Sequence, residues 1–335
     1  DELIKIDNYE DRILNINIGD FVSFSEKFKG EKGELDCTYY VLRENLDKAK
    51  KQFKDAPRML KAFEHWFGPY PFYEDSYKLV EAPYLGMEHQ SSVTYGNGFE
   101  NGYRGRDLSG TGWGLKFDFI IIHESGHEWF ANNITYKDIA DMWIHESFTN
   151  YSESLFVEYY YGKEAGYAYV KGLRKSIRND KPIIGHYDVN NEGSGDMYYK
   201  GANMLHTLRQ IVNNDEKWRG ILRGLSSTFY HQTVTTKQIE DYLSQEVGMD
   251  LNPFFNQYLR DTRIPTLEYF FKDGQLGYRW TNCVSGFNMP VHVTVNTKEL
   301  ILNPKTEWER MEAKTNNPTL VVDTNFYVAS FNITD

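Results

Sequence analysis

The chain has 335 residues, more than one domain usually holds, so two domains with a core each are expected. Its 37 basic and 48 acidic side chains leave a net charge of −11 and no long basic run, which argues against nucleic acid or an anionic membrane surface as partner. No apolar run reaches the roughly 18 residues of a membrane-spanning helix, and the opening DELIKIDNYEDR has neither methionine nor hydrophobic signal segment, so a soluble chain trimmed or processed at its start is expected.

Residues 11–45 hold short alternating runs, RILNINI, FVSFSEKF and LDCTYYVL, broken by Gly19, Gly30 and Gly33. They read as antiparallel strands of a small sheet. From Leu46 to Phe67 apolar residues recur at helical spacing until Gly68, Pro69 and Pro71 end the helix. The run YKLVEAPYLGMEHQSSVTYG returns to strand character with a turn at Pro83, and the glycine-rich stretch 96–113 reads as a loop. Helices are expected over 115–132, 142–161, 163–178, 197–213, 215–229 and 236–246. After IPTLEYFF the pattern changes to period-two runs, LGYRW, PVHVTV and TLVVD, set off by Asn, Gly and Pro clusters. The chain therefore divides into 1–262, mainly helical behind a small mixed sheet, and an all-β segment 263–335. Cys37 and Cys283 are too few for a disulfide framework and fall in different parts of that division.

Within the helical part, HESGHEWF (123–130) follows the apolar run FDFIII, so two histidines and two glutamates sit where burial is expected. Buried charge without a partner is costly, and a metal ion would remove the cost. On a helix His123 and His127 lie one turn apart on the same face, and both imidazoles can reach one ion. A catalytic zinc takes three protein ligands and keeps a place for water. Residues 128–133, EWFANN, offer no third histidine, and the next acidic candidates are Asp138, Asp141 and Glu146. Only Glu146 sits inside a helix-like run, WIHESFTNYSESLF, where its direction is fixed. Two imidazoles and one carboxylate match zinc, so one Zn2+ per chain is expected.

H-E-x-x-H, eighteen residues and then Glu in WIHE resembles the gluzincin zinc aminopeptidases, the family of aminopeptidase N and leukotriene hydrolase. GMEHQ (86–90) is similar to the family's G-[AG]-M-E-N element, and Tyr198-Tyr199-Lys200-Gly201 is similar to its Y-x-K-G element. His89 departs from the usual Asn, and His145 and Ser147 from the usual Asn and Gly around the third ligand. The resemblance implies an α+β fold: a thermolysin-like, mainly helical catalytic domain with a small mixed sheet, then a small β-sandwich-like domain. It also implies a β-rich front domain that this sequence does not contain and that would add a second contact to the substrate amine, so weaker substrate affinity than the full-length protein is expected.

From the resemblance, zinc on His123, His127 and Glu146 activates a water, Glu124 is the general base and Tyr198 donates to the oxyanion. Glu88 pairs with the protonated amino terminus of a peptide, and the backbones of Gly86 and Met87 line the neighbouring subsite. The implied activity is removal of single residues from peptides with a free N-terminus. The rivals are a thermolysin-like endopeptidase, a non-catalytic zinc-containing peptide-binding module and an epoxide hydrolase. Asn150 and Glu153 follow Glu146 by four and seven residues and are candidates for orienting the histidines; ordinary helix contacts explain them equally well. Glu128, His65, His186, His206, His231 and His292 read as surface or satisfied core residues.

Overall fold

The computed structural model describes residues 16–313 and 317–333. Strands β1 (Phe21–Gly30) and β2 (Gly33–Leu42) form the expected hairpin, closed where Gly33 takes φ +111°, a conformation that side chains with a Cβ rarely adopt. Part of RILNINI, residues 12–15, lies outside the described residues. Ile16 to Ile18 form no strand, and Ile16 and Ile18 are exposed, so that part of the expectation is corrected. Beside β2, in parallel, lies β3 (Tyr77–Glu81), followed by β5 (Val93–Tyr95), again parallel. The short β4 (Gly86–Met87) runs antiparallel to β5 and forms the edge, giving a mixed sheet of order β1-β2-β3-β5-β4.

The single helix expected over 46–67 is two, α1 (Leu46–Gln52) and α2 (Asp55–Phe67). Pro57 has no N–H to give the carbonyl of Phe53, so a continuous helix would lose that bond; Ala56 N–H serves the carbonyl instead at 3.0 Å. The helix expected over 115–132 is also interrupted. Only Phe119–Gly126 is α-helical (α3); residues 128–133 make a wider turn in which Phe130 leaves helical geometry at φ −123°, ψ 74°.

Helix α4 (Trp143–Tyr161) is the centre of the fold, buried from Trp143 to Val157, with α2, α3, α5 (Lys163–Gly172) and α6 (Tyr199–Val212) packed against it. Polar residues along such a helix need partners. Small residues set its spacings: a Cβ on Gly126 would lie 2.8 Å from Ser152 Oγ, and one on Gly201 would overlap Ser147 Oγ. Next come α7 (Asp215–Thr228), α8 (Thr236–Val247) and α9 (Asn252–Arg260), with α8 started by the Thr235–Gln238 capping box. A parallel pair, β6 (Ile134–Tyr136) and β7 (Gln232–Val234), ties the α3–α4 connection to this helical layer.

Among the described residues after Arg260 the regular elements are strands. Strands β8 (Thr266–Lys272), β9 (Gln275–Thr281), β12 (Glu309–Glu312) and β14 (Ala329–Asn332) form one sheet; β10 (Val291–Val295), β11 (Lys298–Leu302) and β13 (Leu320–Val322) form another. This segment packs on the helices through buried Phe326 and Tyr327, whose carbonyl accepts from Tyr258 Oη at 2.9 Å. No helix among the described residues is long and apolar enough to cross a membrane.

Candidate metal centre and cleft

Helix α3 starts at Asp118, whose side chain caps Ile120 and Ile121 N–H and also accepts from Tyr95 Oη, Gln52 Nε2 and Asn97 Nδ2 at 2.7–2.9 Å. The apolar run Phe119–Ile122 buries the helix, and Phe119 stacks on the His123 ring, centroids 5.1 Å apart. His123 and His127 then face the first turn of α4. Each Nε2 lies 3.6 Å from the same oxygen, Oε2 of Glu146.

That oxygen is buried and has no hydrogen-bond partner. A buried carboxylate oxygen facing two imidazole nitrogens with no proton donor on it suits a shared cation, and separations of 3.6 Å suit bonds of about 2.1 Å. Burial opposes ionisation of Glu146, but His127 and His123 outweigh it and hold the group at about 2. His145, next in sequence, is not part of this cluster. Its Nε2 accepts Tyr136 N–H at 3.0 Å, and burial keeps it neutral, down at about 3.

The other nitrogen of each histidine is held, which fixes the tautomer that leaves Nε2 free. His123 Nδ1 is 2.8 Å from Glu153 Oε1; Glu153 also accepts from Asn150 Nδ2 at 2.8 Å and Tyr169 Oη at 2.7 Å. Of the two candidates on α4, Glu153 therefore touches a histidine and Asn150 touches Glu153. His127 Nδ1 is 3.0 Å from the Phe130 carbonyl and 3.1 Å from Thr149 Oγ1. The departure of Phe130 from helical geometry is what turns that carbonyl back onto the ring.

Glu124 projects from the same turn of α3, and burial pushes it up to about 7. It meets Glu88 and His127, with one donor atom from each within 4.8 Å of the others. Residues alternate along an extended strand. Gly86 and Glu88 accordingly face Glu124 while Met87 is exposed. A Cβ on Gly86 would come 2.7 Å from Glu124 Oε1, so only glycine lets the edge strand pass this close. Tyr198 precedes α6, brought in by the Gly201–Ser147 contact and by the bond from Ser147 Oγ to the Met197 carbonyl at 2.7 Å. Its ring lies 6.1 Å from that of His123, and burial followed by the charge of Glu146 raises its hydroxyl above the usual tyrosine range.

The structure thus brings together His123, His127, Glu146, Glu124, Glu88, Gly86 and Tyr198, with Met87 at the rim. Sequence reasoning missed Thr149, the Phe130 carbonyl and Tyr169. Thr149 sits one helical turn after Glu146 and was findable; the other two depend on main-chain shape and tertiary approach. Glu128, read as surface or satisfied core, is fully buried beneath the cleft, accepts Ser91 N–H at 2.7 Å and is pushed by burial up to about 8.

A histidine-bearing helix facing a glutamate on the next helix, beside a mixed sheet whose edge strand lines the cleft, defines the thermolysin-like class of metallopeptidase. The peptidase family M1 domain matches residues 52–258, and the chain belongs to that family. Endoplasmic reticulum aminopeptidase 1 of Mus musculus is 25% identical over 245 residues, 70% of this chain and 26% of the relative. Among solved structures, Legionella pneumophila aminopeptidase A in complex with aspartic acid superimposes with a TM-score of 0.68 at 15% identity, covering 93% of this chain and 38% of the other. The M1 zinc metallopeptidase from Deinococcus radiodurans gives a TM-score of 0.60 at 20% identity, covering 74% and 53%. The chain spans about a quarter of the mouse relative's length.

Proposed function

We propose that the protein is a zinc aminopeptidase, binding one Zn2+ per chain on His123, His127 and Glu146 and acting on peptides with a free N-terminus. The observation that carries this reading is the Glu88–Glu124–His127 grouping, which sets a second carboxylate beside Glu124, one ligand atom of each residue within 4.8 Å of the others. A carboxylate there pairs with an ammonium group, which an amino-terminal residue has and an internal residue lacks. The family and its aminopeptidase relatives support the same reading.

The chemistry supplied by a bound zinc is polarisation of the scissile carbonyl and acidification of a water. Glu124, one residue past His123 and grouped with Glu88 and His127, is placed to take the water's proton and hand it to the departing amine. Tyr198 donates its hydroxyl hydrogen to the oxygen that becomes negative. Glu88 fixes the amino terminus, so the first peptide bond is the one that reaches Glu124. Residues 1–262 form the catalytic domain in this reading and 263–335 a small β domain docked on it.

The test is hydrolysis of amino-acid arylamides by the purified chain before chelation, after chelation and after zinc is returned. The reading expects activity, loss and recovery, with one zinc per chain by metal analysis. Full activity in the chelated, metal-free protein overturns it.

A further inference from the structure

The turn after His127 has a second side. While Phe130 turns its carbonyl onto His127, Asn132 Nδ2 donates to the main-chain carbonyl of Glu88 at 2.9 Å, and Glu128 Oε1 accepts the N–H of Ser91 at 2.7 Å. The segment between those two bonds, Glu88–Ser91, is the one that carries the amine-binding carboxylate. It ends with Ser91 at φ +52°, in the left-handed region that serine rarely adopts, so it needs outside contacts to keep its shape. Further support comes from the bond between Ser92 N–H and the His89 carbonyl at 3.0 Å, from Gln90 Nε2 on Asp75 at 3.0 Å and from Tyr70 Oη beside Ser91 Oγ at 3.4 Å. Asn132 and Glu128 are the members of this set that also belong to the metal-site turn.

We infer that Asn132 and Glu128 are positioning residues for Glu88: one distorted turn orients His127 through its main chain and the amine-binding segment through these two side chains. The inference rests on the aminopeptidase reading and deepens it. Its physical content is registration. Glu88 directly follows a two-residue edge strand with little sheet to hold it, and His127 caps the C-terminal end of α3. The distance between the amine site and the scissile bond must match one residue, and a shared turn fixes both ends of that distance.

Amine binding is made alike in substrate and transition state, so loosening Glu88 raises KM rather than lowering kcat. Asn132→Ala and Glu128→Leu are each expected to raise KM for an amino-acid arylamide about tenfold, with kcat changed less than about twofold and zinc content equal to wild type. Glu128→Gln keeps an oxygen for Ser91 N–H at the same place and is expected to restore wild-type KM, which a general packing role for a buried carboxyl would not separate from Leu. Unchanged KM in both Asn132→Ala and Glu128→Leu, or a fall in kcat together with zinc, overturns the inference while leaving the aminopeptidase reading intact. A wild-type chain that never cleaves the arylamide removes both.

Discussion

Oε1 of Glu153 lies 2.8 Å from Nδ1 of His123, two turns along α4 from the carboxylate that faces the same ring's Nε2. One helix therefore grips His123 at both nitrogens. Replacing Glu153 by Gln leaves a neutral acceptor and weakens the imidazole's electron donation. Zinc affinity is expected to fall about 10- to 100-fold, measured by competition with a chromophoric chelator, while circular dichroism stays that of the wild type. Unaltered affinity would reduce Glu153 to an ordinary helix contact.

Gly86 is tested by the smallest addition. In Gly86→Ala the new methyl group meets Glu124 within 2.9 Å at three atoms, and the flexible carboxylate must move aside. If Glu124 is the base as proposed, displacing it by up to about an ångström costs up to about a hundredfold in kcat. Zinc content is expected to be unaffected, because the three atoms nearest that methyl all belong to Glu124 and none to the metal-site histidines or Glu146. Metal analysis and steady-state kinetics on the same preparation separate the two.

Tyr198→Phe removes a hydroxyl and little else. The expected loss is about 100- to 1,000-fold in kcat, with KM and zinc content near wild type, since in its proposed role the hydroxyl acts on charge that develops only in the transition state. Tyr199→Phe serves as the neighbouring control and should stay within about threefold of wild type. The reverse pattern would transfer the donor role to Tyr199.

A pH dependence of stability follows from Lys200, which is buried and donates to the Asp261 carbonyl at 2.9 Å. Burial lowers its pKa from 10.5 to about 8. Between those values the unfolded chain holds a proton that the native chain has released, so this residue makes unfolding free energy rise with pH across that window. Lys200→Met should flatten that rise in denaturant titrations between pH 8 and 10. A slope identical to wild type would mean Lys200 keeps its proton in the fold.

How much of this was legible in the sequence depends on the kind of contact. His123, His127 and Glu146 declare themselves because helical periodicity turns spacing into direction; the start of α3 does not, since the helix is expected from 115 while Asp118 caps it at Phe119. The break after Gly126 is different: Phe130 acts through its carbonyl, and no side-chain pattern announces a main-chain oxygen. Tyr169 reaches Glu153 only because α5 packs on α4, a tertiary fact. The split at Phe53 was within reach, since Pro57 forbids one helical bond, but the amphipathic pattern running through it dominated. Glu128 reads as any charged residue beside a motif, because its partner, Ser91 N–H, lies 37 residues away in the chain.

The most direct measurement compares an amino-acid arylamide with its N-acetylated form, for wild type and Glu88→Gln. If Glu88 selects the amino terminus, wild type cleaves the free amine and leaves the acetylated compound essentially untouched. Glu88→Gln should then lose about ten- to a hundredfold in kcat/KM on the free amine while retaining its zinc, the loss expected for one charge-assisted hydrogen bond. Comparable cleavage of both compounds by wild type, or an unchanged kcat/KM in Glu88→Gln, would contradict it.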